Sequence, residues 1–254
     1  MSDILRPLVD AIDAQVRRHI FAQPAAMAFA LSSYADAEAS GEGKVFERAL
    51  LHVQDERLRR MIRRHRDDET RHAFMLENRR EALGLAAIPV PEHLKLIDIL
   101  SREAGGLLDL PMDQDEHVAD VYALLYVVEE RALDEFARVA ENLDRVGDAV
   151  TAQLFRDIGR DEERHLRYCE AIGRRYMGEA FAARLDEMRA IEQQVYGKQT
   201  REWMGHMLDR GFLNLPLWLD ATLRTLNVVG GALSLPAPAP VRGIPVMTGA
   251  LAAA

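Results

Sequence analysis

Apolar residues recur along this chain at intervals of three and four, and several of the stripes they form contain a charged residue. Leu58, Ile62 and Leu76 share a line with Glu69; Phe155, Ile158, Cys169 and Ile172 share one with Glu162; Val121, Leu125, Ala132, Phe136 and Ala140 share one with Glu129. That period belongs to amphipathic helices that press an apolar face into a core. It predicts helices over 3–20, 24–52, 55–83, 116–143, 148–176, 179–209 and 216–228. Asp55 and Asp148 are expected N-caps, because an aspartate there accepts from the free amides of the first turn. Gly84 is an expected stop. Residues 85–115 hold Pro89, Pro91, Gly105, Gly106 and Pro111 and read as a long crossover with a short helix at 92–102. The Pro/Ala-rich tail, 231–254, is expected to lack regular structure.

The order is helix, short turn, helix, long crossover, then the same again. Short turns make antiparallel neighbours, and a long crossover lets the second pair dock on the first. The expected fold is therefore all-α: a four-helix bundle over 24–176, preceded by an N-terminal helix and followed by extra C-terminal helices over 179–228, all in one domain, 1–230. The repeat is also literal. Asp-Glu-x-Arg-His occurs at Asp68–His72 and again at Asp161–His165, and each Glu stands fourteen residues after its N-cap aspartate.

Composition narrows the chemistry. Aromatics are sparse, at 6%, and the formal charge of −9 argues against a nucleic-acid partner, whose phosphates need a basic surface. A single cysteine, Cys169, excludes a disulfide framework, a cysteine zinc site and an iron–sulfur or rubredoxin-type centre in this sequence. No run of 18 apolar residues predicts a membrane span, and "MSDILRPLVDAIDAQ" places charges where a secretion signal needs an apolar run. A cytoplasmic location is expected.

On a helix, residues three apart share a face. Glu69 and His72 therefore point together, as do Glu162 and His165, and both faces are apolar. A buried carboxylate costs several kcal/mol unless something compensates it, and a divalent metal would do so. The doubled motif resembles the ferritin-like di-iron carboxylate superfamily, whose site takes one Glu from each of two helices and Glu-x-x-His from each of two others. The aspartate before each Glu and the arginine before each His look most like the oxygen-activating branch. The resemblance implies that Asp68 and Asp161 hydrogen-bond the ligand histidines and fix their tautomers. It also implies a lone glutamate about 30–33 residues before each motif.

In the second half that glutamate is Glu129 or Glu130. Glu129 is preferred because Glu130 lines up with Tyr126, Asp134 and Ala137, a wetter face. In the first half it is Glu38, which shares its side with Tyr34, Val45 and Phe46. Asp36 has the spacing but lies among Ser32, Ser40 and Gly43. Glu42, one turn on, stands as an outer partner of Glu38 or as the ligand in its place. Gly41 and Gly43 cost about 1 kcal/mol each inside a helix relative to Ala and mark a π-bulge or an open channel. His65 extends the first motif to His-x-x-x-Glu-x-x-His. A similar extra histidine occurs in di-iron N-oxygenases, there before the other motif; the plainer reading, adopted for His65, is a core or rim histidine bonded to a neighbour.

The implied ligand set is Glu38, Glu69, His72, Glu129, Glu162 and His165. Four carboxylates balance two divalent ions, and oxygen donors with one imidazole per metal suit two iron ions, manganese, or a mixed Mn/Fe pair. The resemblance implies an O2-dependent oxidase or oxygenase acting on a small, apolar substrate, with electrons from an external donor. Iron or peroxide handling and a non-catalytic helical module are the competing classes; the complete ligand set speaks against the last. The apolar stretch after residue 200, with Trp203, Met204, Met207, Phe212, Leu213, Leu215, Leu217, Trp218 and Leu219, packs on the bundle, makes a homodimer interface, or roofs a dry cavity beside the metals.

Overall fold

The two aspartate caps organise the bundle. Asp55 accepts from the amides of Arg57 and Leu58 at 2.8 and 3.1 Å, and Asp148 accepts from that of Thr151 at 3.0 Å. In the computed structural model, residues 6–39, 42–234 and 236–240 are described, without the side chains of 6–13 and 42–44. The described residues form α1 (Arg6–Ala22), α2 (Pro24–Ala39), α3 (Glu42–His52), α4 (Glu56–Ala82), α5 (Leu96–Glu103), α6 (Asp115–Val146), α7 (Ala149–Met177), α8 (Ala180–Asp209) and α9 (Leu217–Ala232), with no strand among them. Gly84 after α4 and Gly147 after α6 take φ of 69° and 87°, the left-handed conformation that ends helices at glycine.

Helix α2 packs on α4, α6 packs along α7, and α4 faces α7 across the middle. That is the four-helix bundle. Helix α1 lies against α6 and α2, and α8 lies against α6 and α5. The helix predicted over 24–52 is described as α2 and α3, and the two residues between them, Ser40 and Gly41, lie outside the described residues. Among the described residues no π-segment occurs; Gly41 and the side chain of Glu42 lie outside them. Two boundaries differ from expectation. The crossover helix starts later, at Leu96, after a 3-10 turn at Glu92–Leu94. Helix α9 runs to Ala232, past the predicted domain end at 230.

The core comes in two blocks. One holds Phe46, Ile62, Leu125, Leu166, Cys169 and Phe181; the other holds Phe29, Leu76, Phe136, Phe155, Ile158 and Leu219. On α4, α6 and α7 the charged residues of the apolar stripes fall between the blocks. Glu69 lies between Ile62 and Leu76, Glu129 between Leu125 and Phe136, and Glu162 between Ile158 and Leu166. Among the described residues no helix is long and apolar enough to cross a membrane.

Candidate metal centre

Between the two apolar blocks, four helices deliver seven donor side chains, six of them buried and the seventh, Glu38, half-buried. Two groups form, each with all its donor atoms within 4.8 Å of one another: His65, Glu69, Glu129 and His165, and Glu38, Glu69, His72 and Glu162. Glu69 belongs to both. Its Oε1 lies 3.0 Å from His165 Nδ1 and 3.4 Å from His65 Nε2. Glu162 spans the two motif histidines, with Oε1 3.3 Å from His72 Nδ1 and Oε2 2.7 Å from His165 Nδ1. His72 Nδ1 also faces Glu38 Oε2 at 3.2 Å, and His65 Nε2 faces Glu129 Oε1 at 2.7 Å. All three imidazoles are fully buried.

The other nitrogen of each motif histidine turns outward to an aspartate, and the pairs cross. His72 on α4 points Nε2 at Asp161 Oδ2 on α7, 3.2 Å away. His165 on α7 points Nε2 at Asp68 Oδ2 on α4, 3.4 Å away. Two arginines tie the aspartates together. Arg71 donates to Asp68 at 2.7 Å and also to Asp161; Arg164 donates to both at 2.6 Å. Burial would raise the aspartates, but His165, Arg164 and Arg71 hold Asp68 far below the usual carboxylate range. Arg71, His72 and Arg164 likewise pull Asp161 down to about 2. Both aspartates stay ionised and can only accept. Sequence reasoning gave Arg71 and Arg164 no task, although the repeat that contains them was the available signal.

The other predicted residues are equally definite. Glu130 turns away from the cluster toward α8, where Arg189 donates to both its oxygens at 2.8 and 3.0 Å. His65 is a core histidine bonded to a neighbour, but that neighbour is Glu129, and its ring stacks on His165 with centroids 3.9 Å apart. It stands inside the cluster rather than at its rim.

A family model described as a ferritin-like domain matches residues 46–176, just over half of the chain. The chain belongs to the ferritin-like family. The matched segment contains both repeated motifs and Glu129; Glu38, α1, α2, α8 and α9 lie outside it. No curated protein and no solved structure gave a match.

The charge balance of this ferritin-like site suits cations. Burial, together with the charge of Glu162, pushes Glu129 up to about 8, against the opposing bond from His65. Burial and Glu69 push Glu38 well above the carboxylate range. Burial opposes a charged His72, yet Glu162 and Glu38 raise it to about 11. Without metal, the buried negative charge is therefore met by protons. Two oxygens, Glu69 Oε1 and Glu162 Oε1, are buried without a well-aligned hydrogen-bond donor. A buried oxygen short of an aligned donor costs about 1–3 kcal/mol or more when charged, and a cation held between these oxygens and the neighbouring imidazoles would offset that cost. The residues fit a metal site, with two groups of donors that have Glu69 in common.

Beside the cluster lies a cavity of about 190 Å³. Glu38, Glu69 and Glu129 form part of its wall; most of the rest is apolar and comes from α1, α2, the crossover, α6 and α8. From the apolar C-terminal stretch, Trp203 and Met204 line this cavity. Met207, Leu213 and Leu219 are buried in the bundle core, Phe212 and Leu215 pack against it, and Leu217 and Trp218 are exposed.

Proposed function

We propose that this ferritin-like protein is a di-iron oxidase or oxygenase that uses O2 on a small apolar substrate held in the cavity. The observation that carries the reading is the shared wall. Three of the clustered carboxylates face a chamber lined chiefly by apolar side chains. An apolar chamber suits an organic molecule and opposes the passage of hydrated cations, which storage would need.

His65, Glu69, Glu129 and His165 would hold one ion, and Glu38, Glu69, His72 and Glu162 the other. Iron bound there supplies the redox chemistry with O2; manganese or a mixed pair would take the same donors. The chain's own residues do the rest. Asp68 and Asp161 hold the Nε2 proton of the crossed histidines and leave Nδ1 free as a donor atom. Arg71 and Arg164 neutralise those aspartates, so the inner four glutamates keep the charge that two divalent ions balance. The apolar walls, to which Trp203 and Met204 belong, would keep water from the carboxylates. Electrons come from a separate reductase or a small reductant.

Metal analysis of protein from iron-supplemented cells, followed by O2 uptake with a chemical reductant, tests the reading. About two iron per chain and reductant-dependent O2 consumption by a small oligomer are expected. A large cage that mineralises many iron atoms per chain would replace the reading with storage. A protein that takes up no metal would leave a helical interaction module.

A further inference from the structure

Apart from the clustered carboxylates, a fourth glutamate, Glu135, stands in the wall of the same cavity. It lies six residues after Glu129 on α6, about 9 Å along the helix axis at roughly 1.5 Å per residue. Arg17 donates to its two oxygens at 2.6 and 3.1 Å, Tyr34 to Oε1 at 2.9 Å and Tyr196 to Oε2 at 3.2 Å. All four residues line the cavity. The ring of Tyr196 is held under the guanidinium of Arg131, 4.4 Å from its centroid.

The hydrogen-bond inventory around Glu135 is one-sided. Each phenol has one proton, and both protons are given to Glu135. Burial and the charge of Glu135 keep both phenols protonated, Tyr34 and Tyr196 alike well above their usual value. Toward anything else in the cavity, the two phenolic oxygens can only accept. Arg17 is matched in charge by Glu135, Lys95 donates to Glu92 at 2.7 Å, and Arg131 is bidentate with Glu192 at 2.7 and 2.9 Å. Among the described residues of the wall, each cation has an anionic partner, so none is left to draw in an anion.

We propose that Tyr34 and Tyr196 form a subsite for a hydrogen-bond donor, so that the cavity takes a small, mainly apolar molecule bearing a hydroxyl or amine. The donor group sits on the phenolic oxygens, and the apolar body extends along the chamber toward Glu38, Glu69 and Glu129. An ether, an ester or a carboxylate finds no free phenolic proton there, and a carboxylate also meets the charge of Glu135. Size limits the body to about one ring with a short substituent: a cavity of roughly 150 Å³ admits benzene, and this one measures about 190 Å³. The inference rests on reading the cavity as the substrate chamber.

Calorimetric titration of the full chain with 4-ethylphenol, 4-ethylaniline and 4-ethylanisole tests it. The two donors should bind about tenfold or more tighter than the ether, the scale of one well-placed hydrogen bond. The double variant Tyr34→Phe, Tyr196→Phe should lose that preference while still binding 4-ethylanisole. If removing two donors from Glu135 unfolds it, the single variants are compared, and the donor-to-ether ratio of the native protein stands as an independent measurement. Equal binding of all three probes, no binding of any, or a preference that survives in the variants overturns the proposal. Because the readout needs no turnover, a metal-loaded, O2-consuming protein without donor preference would sink the subsite alone. A donor preference without metal uptake would sink the oxidase reading alone.

Discussion

Asp68 and Asp161 each serve a histidine on the other helix, and this crossing makes the two motifs interdependent. Asp68→Asn or Asp161→Asn should lower metal affinity about 10–100-fold, the usual cost of losing the partner that orients a metal-bound histidine. Chelator competition monitored alongside circular dichroism checks this; unchanged affinity in both variants would remove the aspartates from the site. Glu129 and Glu130 give a sharper contrast. Glu129→Gln should abolish metal at one position, whereas Glu130→Gln should spare metal content and lower stability by about 1–3 kcal/mol, because it disrupts the bidentate pair with Arg189. Metal per chain and melting temperature, measured on both, separate the two roles. That Glu129 faces inward was legible from its apolar stripe. The crossing of the aspartates, and the bridging by Arg71 and Arg164, were not, because spacing along one helix says nothing about which atom of a neighbouring helix a side chain meets.

Helix ends were the most legible elements, because a cap is a local contest for a few amides that one aspartate decides. Asp55 and Asp148 cap as expected, and the crossover lies where prolines and glycines cluster. The 3-10 turn at Glu92–Leu94, which delays the crossover helix to Leu96, was not read, because spacing alone does not separate a tight first turn from an α-helical one. The packing of α8 was also hidden. Its contact with α7 passes through Gly173, where a Cβ would lie 2.0 Å from the ring of Phe181. Phe181 is fully buried, so the ring can shift only by displacing its core neighbours. Gly173→Ala should therefore destabilise the protein by about 1–3 kcal/mol, an overpacking penalty, although alanine is the better helix former. A denaturant midpoint that stays the same or rises would mean that α8 sits farther from α7 than described.

Glu135 joins four helices, taking its donors from α1, α2 and α8 while standing on α6, so its ionisation is a property of the whole assembly. Burial would raise it, but Arg17 and the bond from Tyr34 bring it down to about 2 from an ordinary 4.5. A depressed carboxylate stabilises the fold above its unfolded value and loses that contribution as the pH falls through the folded one. The stabilisation, up to about 3 kcal/mol, should be complete above 4.5 and gone near 2. Glu135→Gln should thus melt lower than the parent at pH 7, with the gap closing between those two values; a gap that persists at pH 2 would show that charge is not the source. The crossed aspartates carry a different consequence for the chain as a whole. Helices α2 and α4 present one lone glutamate and one complete motif, and α6 and α7 present the same. In each half the histidine lacks its own partner and finds it in the other, as in a closed, two-fold symmetric pair. The single polypeptide is laid out like a dimer of two hairpins, each supplying the aspartate that the other's histidine needs.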